Sequence, residues 1–245
     1  LGSMDYHIRY AARVAMEWQD PKTWAKKAYA EKNDLAAIHA LLGLGRSDLA
    51  DSLIPSIERL LKVNFNKLDK AGKLALLRTY SVIMSRGGMP TAKHVKAVGD
   101  QLDSFFPSKD NNLNEELCRV LCHLDHPSVV RKTIALMKTT KAQIPDFNSE
   151  IMKRNKNYGG KILSTMGADV TPNVLNIHFL FCLKDVQVGW TMNDRRSYLG
   201  ELQNLMTKKG GNMFTGYIQK IRESAIASVP EKDRISLQYL MGEVK

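Results

Sequence analysis

The chain has 245 residues, with 36 Lys and Arg against 25 Asp and Glu, a formal net charge of +11 and three cysteines. Cys118, Cys122 and Cys182 are too few for a disulfide framework, and no apolar run approaches the roughly 20 residues a membrane-crossing helix needs. A disulfide-stapled miniprotein and a helical membrane protein are therefore excluded, while the basic balance admits anionic partners and says nothing of fold.

Leu1-Gly2-Ser3 ahead of Met4 reads as the scar of a cleaved tag, so residues 1–4 are set apart and 5–245 are expected to form one soluble domain with no targeting segment. Helical periodicity then dominates. Tyr6 to Trp18 is the first predicted helix, with Ile8, Ala11, Ala12 and Ala15 as its apolar face. Asp20-Pro21 ends it and starts a short helix through Tyr29, since proline is preorganised for a first helical position. Asn33-Asp34 opens Leu35 to Leu42, which is expected to close at Gly43 and Gly45. Ser47 is then read as the cap of a helix carrying Leu49, Leu53, Ile57 and Leu60.

The next helix begins near Asp69 and runs through Leu74, Leu77, Tyr80 and Met84, with Leu76 and Ile83 on an adjacent row. So wide an apolar face predicts neighbours on both sides. Gly87-Gly88-Met89-Pro90 breaks it, Thr91 to Leu102 follows, and Phe105 to Asn112 is a loop. Leu113 to Leu124 and Ser128 to Met137 form a pair split by His126-Pro127. The stretch 141–171, holding Tyr158-Gly159-Gly160, is less regular and is read as an insertion with a short helix. Pro172 to Val186, Met192 to Met206, Met213 to Val229 and Pro230 to Leu240 complete the set.

Helix pairs begin near residues 5, 34, 69, 114, 172 and 212, uneven spacings that suit degenerate repeats of about 40 residues. The predicted fold is all-α, an α-solenoid of roughly five to six HEAT-like hairpins with an irregular insertion near 141–171. An irregular helical bundle and a solenoid broken at the insertion are the alternatives.

Two punctuation marks stand out. Gly189 suits a left-handed position, Trp190 a hydrophobic staple, and Thr191 with Asp194 a capping box. Lys208 and Lys209 favour a helix C-terminus, Gly210 its cap, and Asn212 the start of another helix. The competing functional reading is an anion site at the helix N-terminus after Gly211. The basic residues are scattered, with no long run. The candidate binding face is Trp190, Arg195, Arg196, Lys208 and Lys209.

No catalytic, cofactor or metal residue is assigned. The six histidines form no H-E-x-x-H pair, no serine sits in G-x-S-x-G, and His178 reads as a core or interface histidine beside Phe179 and Phe181. Gly43-Leu44-Gly45-Arg46-Ser47 resembles half of a dinucleotide loop, but no strand precedes it and it is read as a turn. Cys118-Arg119-Val120-Leu121-Cys122-His123 is one residue longer than a c-type haem attachment motif. Its thiols are expected to pack as small hydrophobes rather than to bind a metal with His126.

Asn176-Ile177-His178-Phe179, Leu183, Gly189-Trp190-Thr191, Arg195-Arg196-Ser197-Tyr198 and Gly210-Gly211-Asn212-Met213-Phe214 resemble a HEAT-like segment of large exported bacterial proteins. Ile8-Arg9-Tyr10-Ala11-Ala12-Arg13, Leu74 to Arg78 and Leu113 to Cys118 extend the likeness over most of the chain. In that family the segment joins a sugar-dehydrogenase-like region to a c-type cytochrome domain bearing C-x-x-C-H. The resemblance implies a non-enzymatic scaffold or protein-interaction module, from a periplasmic or exported parent, that contacts neighbouring domains or a protein partner. This chain has no C-x-x-C-H, so no covalent haem is expected on it. Basic HEAT-like alkylpurine DNA glycosylases supply an alternative, in which Trp18, Trp24 and Trp190 would join the basic residues on nucleic acid.

Overall fold

The computed structural model describes residues 1–47, 49–140, 173–208 and 213–242. These contain twelve α-helices and two short 3₁₀ turns, and no strand is found among them. The chain divides into two compact units, Leu1–Leu124 and Asp125–Lys245.

The first unit holds α1 (Tyr6–Glu17), α2 (Ala25–Ala30), α3 (Asp34–Arg46), α4 (Leu53–Leu60), α5 (Lys70–Gly87), α6 (Ala92–Asp103) and α7 (Asn111–His123). Short polar side chains start four of them. Asp5, Asn33, Asp69 and Asp110 each accept backbone N–H bonds from the first turn of α1, α3, α5 and α7, satisfying donors that have no partner within the helix. Such a cap contributes about 1 kcal/mol.

Alternate helices pack on one another in two rows: α1, α3, α5 and α7 in one, α2, α4 and α6 in the other. The core includes Ile38, Leu41, Leu44, Leu76, Leu77, Leu102 and Leu117, all at 0% exposure. Tyr80 is equally buried, and its hydroxyl donates to Gln101 Oε1 at 2.9 Å; burial pushes that phenol far above its usual range. Arg59 lashes the second row to the first. Its guanidinium, 7% exposed as a residue, donates to the Glu31 carbonyl (2.7 Å) and to Asp34 (2.9 Å).

Two expectations about this unit are corrected. Gly43 and Gly45 do not close α3, which continues to Arg46. A Cβ on Gly45 would sit 2.5 Å from Ile83 Cγ2, so this glycine lets α3 approach α5 closely and makes no turn. Ser47 ends α3, its hydroxyl donating to the Leu44 carbonyl, and the following helix begins only at Leu53. The second correction concerns α1. Ile8, Ala11 and Ala15 are exposed, while Arg9 is buried at 6% exposure. Its packed stripe is Arg9, Arg13 and Glu17, four residues apart, and the stems of Arg13 and Glu17 lie close to Gly43 of α3. Long aliphatic stems bury more surface than an alanine stripe does.

The second unit holds α8 (Val129–Thr139), α9 (Val174–Leu183), α10 (Met192–Met206), α11 (Phe214–Ala227) and α12 (Glu231–Met241). The same ladder recurs: α8, α10 and α12 pack in sequence, α9 packs on α11, and neighbours in the chain bridge the two sets. Phe179, Leu180, Leu183, Leu202, Ile218 and Leu237 form its core, and the Tyr198 hydroxyl donates to the Leu180 carbonyl at 2.8 Å. The predicted insertion at 141–171 lies outside the described residues. No described helix is long and apolar enough to cross a membrane.

Candidate functional site

The predicted face around Trp190 belongs to the second unit and is built as the capping chemistry requires. Gly189 has φ of +78°, and the Thr191 hydroxyl accepts from Asp194 N (3.1 Å). The Asp194 carboxylate in turn accepts from Thr191 N (3.2 Å), closing the box at the head of α10. Trp190 donates its ring N–H to the Val186 carbonyl (2.8 Å) and lies 5.2 Å from the Tyr198 ring. Arg195 is 6% exposed and places its guanidinium 5.0 Å from the Trp190 ring centroid and 3.8 Å from Asp233. The staple expected between Trp190 and the first turn is thus a cation–π contact to Arg195. Burial lowers the pKa of that guanidinium, opposed by the Asp233 charge.

Trp190 and Arg195 are brought together, but as parts of a closed structural joint. Arg196 is exposed and Lys208 is half-buried after the end of α10. Lys209, and the proposed anion site at Gly210-Gly211-Asn212, lie outside the described residues.

A larger feature occupies the outer face of the α1, α3, α5 and α7 row in the first unit. Two cavities of about 450 and 470 Å³ open there and share Arg46, Arg78 and Val82. One reaches Arg86, Arg119 and His123 toward α7; the other reaches Arg9, Arg13 and His39 toward α1. Together they make one groove crossing four helices. Each helix presents a stripe at helical spacing, as in Ala71, Leu74, Ala75, Arg78 and Val82 of α5. Half-buried Leu42, Leu74, Ala75 and Val82 give it an apolar floor.

Six of the seven arginines in Leu1–Leu124 line this groove, and none of that unit's eleven lysines does. A solvated helix face has no reason to sort the two cations in this way. The guanidinium differs in its planar fork, which binds carboxylate or phosphate oxygens in pairs. Several of the arginines already have partners. Glu17 pairs with Arg13 and with Arg46, the latter at 3.0 Å, and Glu116 pairs with Arg119 at 2.5 Å. Arg9 donates to His39 and to the Ser3 and Met4 carbonyls. Arg78, shared by both cavities, is exposed and makes no hydrogen bond or ion pair among the described residues.

His39 sits at the α1 end of the groove. Arg9 Nε donates to its Nε2 at 3.2 Å, so that nitrogen carries the lone pair and Nδ1 carries the proton. Burial, with the Arg9 and Arg13 charges, lowers the imidazole pKa to about 4. The ring is therefore neutral at pH 7, and its buried Nδ1–H has no acceptor among the described residues. Tyr6 and Tyr10, exposed and stacked at 6.3 Å, flank this end.

No described tryptophan lines the groove: Trp24 is buried, and Trp18 is 85% exposed outside both cavities. Cys118 and Cys122 face each other at 3.7 Å, Cys118 in the core. His126 bonds Ser128, and no metal-holding group of His, Cys, Asp and Glu occurs among the described residues. His178 lies against Phe179 and 3.4 Å from Cys182 Sγ. Sequence reasoning missed the groove because its arginines are spread over four helices far apart in the chain, no more than two on any one of them. The legible signal was compositional: six of the unit's seven arginines fall on the odd-numbered helices, Arg59 on α4 being the exception. Compared with protein-family models, with curated proteins and with solved structures, the chain matches none.

Proposed function

We propose that this chain is a HEAT-like binding module whose docking face is the arginine-lined groove of its first unit. The observation that carries the reading is the two-row packing of alternate helices, with the arginines gathered on the outer face of one row. Stacked hairpins of this kind bury their apolar faces against neighbours and leave long continuous surfaces for partners. A groove spanning four helices, with an apolar floor and fork-shaped cations on its walls, suits an extended anionic partner more than a compact substrate. The reading of the module as part of a larger exported protein rests on the resemblance carried by the segments around Asn176, Gly189-Trp190-Thr191 and Arg195-Arg196. The glycosylase-type alternative has less support, because no described tryptophan lines the arginine groove.

Thermal melts in the presence of polyanions test the docking face. Poly-glutamate, dextran sulfate and oligonucleotide are each added to the wild-type chain and to a variant carrying Arg46→Ala, Arg78→Ala and Arg119→Ala. At least one polyanion is expected to raise the wild-type Tm and to leave the variant unmoved, since a ligand stabilises only the state it binds. No shift with any polyanion, or a shift that survives in the variant, refutes the proposal.

A further inference from the structure

We infer that the groove takes an acidic polypeptide segment in extended conformation, its carboxylates on the arginines and its apolar side chains on the floor. This rests on the groove being the docking face. The composition of the walls makes the first argument. Arginine paired with carboxylate is the bidentate match, and exclusion of every lysine points to directed contacts instead of a diffuse field.

The floor makes the second argument. Leu42, Leu74, Ala75 and Val82 lie between the cations, so the ligand must offer apolar groups as well as charge. An extended peptide offers both on alternate faces, its apolar side chains down on the half-buried floor and its carboxylates outward, where the exposed Arg46 and Arg78 meet them. Four helices packed at roughly 9–10 Å intervals span close to 30 Å, the length of about nine extended residues at ~3.4 Å each.

Arg78 has open donors at the centre of the groove, and His39 holds a buried Nδ1–H without an acceptor at one end. A carboxylate or a peptide carbonyl completes the exposed Arg78 fork. The arginines committed to Glu17 and Glu116 show the wall already holding carboxylates, in pairs that an incoming acidic side chain imitates or displaces.

Nucleic acid fits less well. Single strands are held by aromatic platforms beneath successive bases, and here the exposed rings stand apart, Tyr6 and Tyr10 at one end and the His123 imidazole at the other, with no exposed ring lining the stretch between. A duplex presents a charge every ~1.7 Å and no apolar group for the floor, and the unit's lysines are not placed to follow it.

The test is fluorescence anisotropy with a labelled peptide of about nine residues alternating glutamate and leucine. A glutamine–leucine peptide and single- and double-stranded oligonucleotides of similar length serve as comparison probes. At low salt the glutamate peptide is expected to bind most tightly, with Arg78→Ala weakening it by about tenfold, in the range for loss of a charge-assisted pair. Arg78→Lys keeps the charge but not the fork and is expected to recover only part of that loss. Both changes are on an exposed helix position, and circular dichroism confirms that the variants fold. Equal binding of the glutamine and glutamate peptides, or full affinity in Arg78→Ala, overturns the inference. Tighter, Arg78-dependent binding of an oligonucleotide overturns it too, while leaving the groove as the docking face. Absence of binding by every probe overturns both.

Discussion

Gly189→Ala is the sharpest perturbation available in the second unit. Gly189 has φ of +78°, a region that costs an L-residue roughly 1–2 kcal/mol. A Cβ there would also lie well inside van der Waals distance of the Pro127 carbonyl oxygen and 3.1 Å from its carbon. Both atoms are backbone, so relief requires the 186–190 segment to draw away from the turn at 125–127. That segment is fastened to the turn by Gln187 N donating to Asp125 (2.8 Å), while the Trp190 ring N–H on Val186 (2.8 Å) braces it internally. Straining or breaking the first bond adds about 1 kcal/mol. The total is about 2–3 kcal/mol. Gly200→Ala provides the contrast: it lies inside α10, its Cβ would meet nothing within 4 Å, and it is expected to stabilise by roughly 0.5–1 kcal/mol. Urea denaturation followed by Trp190 fluorescence, in a background carrying Trp18→Phe and Trp24→Phe, reads both changes from the midpoint at constant slope. A Gly189→Ala cost no greater than about 1 kcal/mol, all of which the φ cost alone explains, would refute the added strain of the close approach to Pro127.

Other outcomes follow from single groups. Arg59→Met removes a buried guanidinium joining Glu31, Asp34 and α4 and is expected to cost about 2–3 kcal/mol in urea melts, since charged hydrogen bonds are lost and their acceptors stranded. Asp194→Ala opens the capping box of α10 and is expected to cost about 1–2 kcal/mol, with Asp194→Asn retaining part of it. His39 is held at a pKa of about 4 in the folded chain against 6.5 when unfolded, so the unfolded state binds the extra proton between these values. Its contribution is fully present above pH 6.5 and is lost as pH falls toward 4. Solvent entering the groove screens it to roughly 1–2 kcal/mol. His39→Gln is expected to flatten the stability–pH curve in that window, and an unchanged slope would count against a neutral, buried imidazole.

Helices and their ends were legible because they depend on neighbours a few residues apart. Asn33 and Asp69 cap the helices they were expected to open, the Thr191–Asp194 box closes as its spacing predicts, and Gly88 and Gly189 take positive φ at the breaks they mark; Asp110, read as loop, caps α7 two residues earlier than expected. The errors arose where a local signal met a distant partner. Gly45 looks like a stop until Ile83 is seen against it, and Ile8 looks like core until Arg9 is seen buried beside His39.

The same division separates the two candidate sites. Trp190 and Arg195 are five residues apart, so one helix turn and its cap suffice to join them. Arg9, Arg46, Arg78 and Arg119 are separated by more than thirty residues at each step. Only the packing of every second helix carries them onto one surface. The sequence alone determined an all-helical chain, where most of its helices begin and end, and an excess of positive charge. Which charges share a surface was decided by tertiary structure, because charge placement costs little within a helix and becomes a groove only when helix faces align.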